Sequence, residues 1–138
     1  MGPIEPAVAF VDPRHLVFEL PEELATSHLK ETKELQALIR PLGFELAIEN
    51  FGAGRDQAQL LSHVPVNYVK IDGALMQGLA NDRSLQEQVK GLVEQAKTAG
   101  AVTIAERVED ANTMAVLWQL GVEFVQGYFV NTPEEVVM

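Results

Sequence analysis

Five short apolar runs, each ending abruptly in charged or amide residues, recur along the chain at 16–23, 45–54, 66–73, 102–110 and 122–129. A strand covered on both faces needs apolar residues along its length, and a parallel sheet gathers its polar groups at the carboxyl ends of its strands. Stretches with helical spacing lie between the runs. This alternation predicts an α/β fold of the TIM-type (β/α) barrel class, with about five parallel strands and outer helices. It puts Glu19, Glu22, Glu49, Asn50, Lys70, Asp72, Glu106, Arg107 and Gln126 near one rim, a gathering of polar groups that reads as a site.

The first strand is expected over 16–20, after the turn-like Asp12-Pro13-Arg14. A helix follows over 22–40, with Leu24, Leu29, Leu35, Leu38 and Ile39 as its apolar stripe and with Pro41 and Gly43 to end it. The second strand spans 44–48, and a glycine-bearing loop over 51–55 leads to a short helix over 57–63 that Pro65 breaks. The third strand spans 66–71, and a longer connection containing Gly78 precedes a helix over 81–99. That helix is capped by Asn81 or Asp82, turns Leu85, Val89, Leu92, Val93 and Ala96 inward, and stops at Gly100. A strand over 101–105, a helix over 110–120 ending at Gly121 and a strand over 122–125 complete the series. No linker divides the chain, so 1–138 reads as one domain or part of one.

The acidic balance, 20 Asp and Glu against 10 Lys and Arg, disfavours a DNA duplex or an anionic membrane as partner, because both need concentrated positive charge. A small anionic ligand is decided by local groups instead. With no cysteine, thiolate metal sites and disulfides are excluded. No apolar run approaches the roughly 18 residues of a membrane span, and the expected location is cytoplasmic.

Phe18-Glu19-Leu20-Pro21-Glu22, Ile48-Glu49-Asn50-Phe51-Gly52-Ala53-Gly54, Val69-Lys70-Ile71-Asp72, Ala105-Glu106-Arg107-Val108-Glu109 and Gln126-Gly127-Tyr128 resemble, in order, the strand-end motifs of the EAL domain. The resemblance implies a (β/α)8 barrel that binds cyclic di-GMP and, in active members, hydrolyses it with divalent metal. A complete barrel of this kind needs about 250 residues. The first three or so β/α units, including the one that ends in the Glu-Ala-Leu signature, have no counterpart here, and residues 1–6 are too few to supply them. The remainder of the barrel or a partner chain is therefore expected to cover the open sheet edges.

Within that resemblance, Glu19 matches a metal-binding glutamate, and Glu22 one that steadies a neighbouring loop. As a plain charge run, Glu22-Glu23 reads instead as a solvated helix start. Active members carry two adjacent aspartates where this chain has Glu49-Asn50; here one anion is displaced by a methylene and the other replaced by a neutral amide. The loop also has Ala53 and Arg55 where threonine and tyrosine are usual. Lys70 and Asp72 match intact, the lysine orienting water and the aspartate supporting the metal side in active relatives. Lys70 read without the family is a structural ion pair to Glu49 or Glu106. Glu106 and Glu109 match the family's two glutamates, with Arg107 in place of a glycine. A carboxylate can accept two hydrogen bonds from a guanine edge, and an arginine adds charge or a stacking surface, unless Arg107 is merely an exposed helix-start residue. Gln126 and Pro133 match the last ligand-side motif. His15, His28 and His63 read as surface or capping residues, and Trp118 as core.

The expected function is a catalytically inactive cyclic di-GMP receptor, with Asn50, Lys70, Glu106, Arg107, Gln126 and Pro133 on the ligand and no metal or other cofactor. A degenerate domain of the FimX type would act in regulating type IV pili or motility and contact a PilZ-domain protein. Two alternatives stand beside it. One is a weak phosphodiesterase using Glu19, Glu49, Lys70 and Asp72 with Mg2+ or Mn2+, and the other a protein-interaction module without nucleotide binding.

Overall fold

Leu46, Ala47 and Ile48 are consecutive and all buried, as a strand covered on both faces requires. They lie in a single six-stranded sheet whose strands follow one another in sequence order. The computed structural model describes residues 7–12 and 15–127, with side chains from 17 to 125. Strands β1 (Ala7–Asp12) and β2 (His15–Pro21) are followed by helices α1 (Glu22–Ser27) and α2 (Leu29–Ile39). Then come β3 (Glu45–Phe51), α3 (Gln57–His63), β4 (Tyr68–Ile71), α4 (Arg83–Thr98), β5 (Val102–Val108), α5 (Ala111–Leu120) and β6 (Phe124–Gly127). Strands β2 to β6 are parallel, as the alternating pattern predicts.

Strand β1 has no place in the sequence reading. It pairs antiparallel with β2, from Ala7 opposite Glu19 to Asp12 opposite His15, and so covers one edge of the parallel set. Its signal was a brief apolar run separated from β2 by only two residues, too short for a β/α crossover but suited to a hairpin.

The expected helix over 22–40 is broken in two. His28 leaves the helical region at φ −126° and ψ 53°, and the Thr32 hydroxyl donates to the His28 carbonyl at 2.8 Å and the Ala25 carbonyl at 3.4 Å, partnering oxygens at the junction. The break turns α2 so that Thr32, Gln36 and Ile39 face inward, and Leu38, assigned to the apolar stripe, is left 69% exposed. Helix α4 matches expectation, with Asp82 accepting from the Leu85 amide as its cap and Val89, Leu92, Val93 and Ala96 buried. It serves two core regions. Leu92 and Ala96 pack with Leu20, Ile48, Phe51 and Leu60, whereas Val89 and Val93 pack with Ala105, Val108, Leu117 and Val125. Trp118 packs against the second region, as read.

Among the described residues Glu22 is the charged side chain that is buried, contrary to the solvated-face reading, while Glu23 is exposed. Its carboxylate accepts from the amides of Gly52 at 2.8 Å and Gly54 at 2.7 Å, and from the Gln57 side chain at 3.2 Å to each oxygen. These bonds fix the loop that follows β3. A Cβ at Gly54 would stand 2.7 Å from the Glu22 carboxylate, so the bare backbone is what permits the grip. Gly52 adds a second requirement, a φ of +103° that side chains resist. At the opposite end of the sheet, Tyr68 donates to Glu45 at 2.8 Å, and Asn67 bonds both the Leu46 amide and Glu45.

Two outcomes follow. Glu22→Ala strands buried donors and should destabilise the protein by about 3 kcal/mol in urea unfolding, with Gly54→Ala shifting stability in the same direction. Burial, then the hydrogen bond and charge of Glu45, push the Tyr68 phenol up to about 12. The folded state holds that proton more tightly than the unfolded chain, so the contribution is complete below about pH 10 and is lost as pH rises toward about 12. Alkaline titration of stability should therefore fall less steeply in that window for Tyr68→Phe than for the parent.

Candidate functional site

Two strand ends share one irregularity. Ile48 pairs with Val69 and Phe51 with Ile71, so Glu49 and Asn50 together stand opposite Lys70 alone. Ala105 pairs with Val125 and Val108 with Gly127, so Glu106 and Arg107 stand opposite Gln126 alone. Each is a two-for-one bulge, a device that re-aims side chains at the end of a strand. In each the second residue is left-handed, Asn50 at φ 55° and Arg107 at φ 60°, and among the described residues these are the non-glycine positions with positive φ. Asparagine tolerates that region better than other side chains, whereas arginine is strained there by about 1 kcal/mol. The usual glycine of the resembled motif is thereby explained at position 107. These bulges also carry β5 on to Val108, beyond the expected end at 105.

The bulges bring carboxylates around one ammonium. Lys70 Nζ hydrogen bonds to Glu19 Oε2 and lies 3.5 Å from Glu106 Oε2. Lys70 and Glu19 are nearly buried, at 14% and 11% side-chain exposure, and Glu106 is more open at 43%. Burial alone would lower the Lys70 value, but the hydrogen bond to Glu19 and the charges of Glu106 and Glu19 prevail and raise it, so the ammonium persists. Burial, then a hydrogen bond to Glu19 and its negative charge, raise the Glu49 carboxyl; Lys70 opposes this only in part. The ion pair expected to Glu49 or Glu106 is thus made chiefly to Glu19, with Glu106 second.

Beside this cluster lies a cavity of about 600 Å3, lined by Asn50, Asp72, Gln77, Glu106, Arg107 and Thr113 among others. Glu106 belongs to both the cluster and the cavity wall. Asp72 follows β4 directly and caps a one-turn helix over Gly73–Met76, its amide bonded to the Phe51 carbonyl at 2.9 Å. Sequence reasoning missed the wall built by Met76, Gln77 and Gly78. The available signal was the length of the connection between β4 and α4, since long loops at this end of a β/α unit carry function. It also missed Thr113, held by Asp110 through its amide at 2.6 Å and its hydroxyl at 3.0 Å. A groove of about 480 Å3 between α3 and α4 contains none of the strand-end residues. The backbone of Gln126 is in β6 beside Glu106, but its side chain, Tyr128 and Pro133 lie outside the described residues.

The donors that this chain itself brings to the rim are few for a pair of divalent cations. Such a centre needs several convergent carboxylates about two ions near 4 Å apart. Here an ammonium already sits among the acids, Glu49 is drawn toward its protonated form, and Asn50 offers a neutral amide on a left-handed backbone. Among the described residues no three histidine, cysteine or carboxylate side chains group as metal ligands.

The EAL domain model matches residues 7–133. The FimX EAL domain of Pseudomonas aeruginosa, solved bound to c-di-GMP, superposes with a TM-score of 0.77 at 37% identity, over 85% of this chain and 48% of that one. The Xanthomonas citri FimX EAL domain in complex with c-diGMP gives a TM-score of 0.77 at 32% identity, over 83% and 45%. Cyclic di-GMP phosphodiesterase PdeB of Shewanella oneidensis is 29% identical over 94% of this chain and 16% of its own length. The chain thus spans about half of the solved domains and about a sixth of that curated relative. Among the described residues no helix is long and apolar enough to cross a membrane. With the parallel β/α sheet, the ordered strand-end motifs and the family match in agreement, the chain belongs to the EAL domain family, whose fold is of the TIM-barrel type.

Proposed function

We propose that this domain is a cyclic di-GMP receptor that binds without hydrolysing its ligand. The observation that carries this reading is the Lys70 ammonium seated against Glu19 and Glu106, next to a strand end that reads Glu49-Asn50. With a neutral amide at Asn50 and the Glu49 carboxyl drawn toward its protonated form, this strand end offers divalent cations less negative charge. What is left suits recognition. Glu106 reaches the cavity and can accept from the two adjacent donors of a guanine edge, Gln126 can donate and accept, and Asn50 supplies an amide at the wall. Pro133 is carried over as a ligand-side residue by the family motif. Asp72, its backbone tied to β3, lines the wall beside Asn50 and Glu106. The two FimX domains, both solved with the dinucleotide, support binding as the retained property.

Binding without turnover makes a sensor, because a ligand shifts the protein toward whichever conformation it prefers. We assign the domain to cytoplasmic signalling of the FimX kind, acting on type IV pili or motility through a PilZ-domain protein. The strands supplied here form the C-terminal part of its barrel.

Lys70 and Asp72 are retained and the curated relative PdeB is a phosphodiesterase, which favours weak metal-dependent hydrolysis as a second reading. One pair of measurements separates the two. Calorimetry with cyclic di-GMP should give about micromolar or tighter affinity, weakened about tenfold or more by Glu106→Ala. Incubation with excess Mg2+ or Mn2+ should yield no linear dinucleotide. Undetectable binding removes the receptor, and measurable linear product establishes the enzyme.

A further inference from the structure

The cavity wall is strongly acidic for a site that takes a dianion. Asp72, Glu106, Glu109 and Asp110 all line it, and among the described lining residues Arg107 is the sole cation. Lys70 cannot serve in its place, since it does not line the cavity and its ammonium is committed to Glu19 and Glu106. Arg107 is exposed and makes no ion pair among the described residues, even with three carboxylates on neighbouring positions of the same segment. It also holds a left-handed backbone that a glycine would adopt without strain. A long cation kept at steric cost, uncommitted, on the wall of an acidic cavity is placed for an anion from outside the chain.

Resting on the receptor reading, we propose that Arg107 is the phosphate clamp of this site, its guanidinium supplying the positive charge that bound cations would otherwise bring to the ligand. The flat fork of a guanidinium matches the two non-bridging oxygens of a phosphodiester and bonds both at once, which an ammonium cannot do. The bulge opposite Gln126 sets where that fork begins, one residue beyond the proposed guanine acceptor Glu106. Base and phosphate would thus be read by adjacent residues of one strand end.

The test is titration of cyclic di-GMP into the parent protein, Arg107→Gly and Arg107→Lys across a range of salt. Arg107→Gly should weaken binding about tenfold or more and flatten the dependence of affinity on salt, while its melting temperature stays level or rises. Arg107→Lys should keep the salt dependence and recover only part of the affinity. A glycine variant that binds like the parent with the same salt dependence overturns the clamp and leaves the receptor standing. A parent that does not bind removes both.

Discussion

One ammonium among three carboxylates sets the character of this strand-end rim. Parallel strands deliver their polar ends to the same side, so Glu19, Glu49 and Glu106 are brought together by the sheet whatever their preference. Without a cation they would repel one another at short range in a partly desolvated place. Lys70, entering from β4 between β3 and β5, settles this by bonding Glu19 and approaching Glu106, and Glu49 shares a proton-favouring contact with Glu19.

The second determinant is backbone geometry. Two bulges, each two residues against one, put an acid and a left-handed residue side by side at the ends of β3 and β5. The loop after β3 is held from beneath by Glu22, whose buried carboxylate binds two glycine amides. Rim chemistry and loop position are therefore fixed by different residues. A change at position 49 or 50 can alter what the site attracts and leave the Glu22 bonds in place.

Much of this was legible in the sequence. Apolar runs with polar ends gave the five parallel strands, and the spacing of Val89, Leu92, Val93 and Ala96 with Asp82 before and Gly100 after gave α4 almost to the residue. Asn50, Asp72, Glu106 and Arg107 were placed at one rim and do line one cavity. What escaped had no periodic signal. At the break, Thr32 bonds the carbonyls of His28 and Ala25, a local arrangement that a continuous apolar stripe conceals. Strand β1 was hidden because only two residues of sequence separate it from β2. The left-handed states of Asn50 and Arg107 left a faint trace, since a motif position that is usually glycine signals a positive φ, and the burial of Glu22 could be inferred from the glycines it needs.

Either an ammonium or a pair of metal ions neutralises the rim when the ligand is present. A crystal structure of the protein with cyclic di-GMP and excess Mn2+, with anomalous scattering recorded at the manganese edge, decides it. The account predicts the dinucleotide in the cavity, Lys70 still bonded to Glu19, and no anomalous peak among Glu19, Glu49 and Asn50. Two well-occupied manganese ions about 4 Å apart at those residues would contradict it.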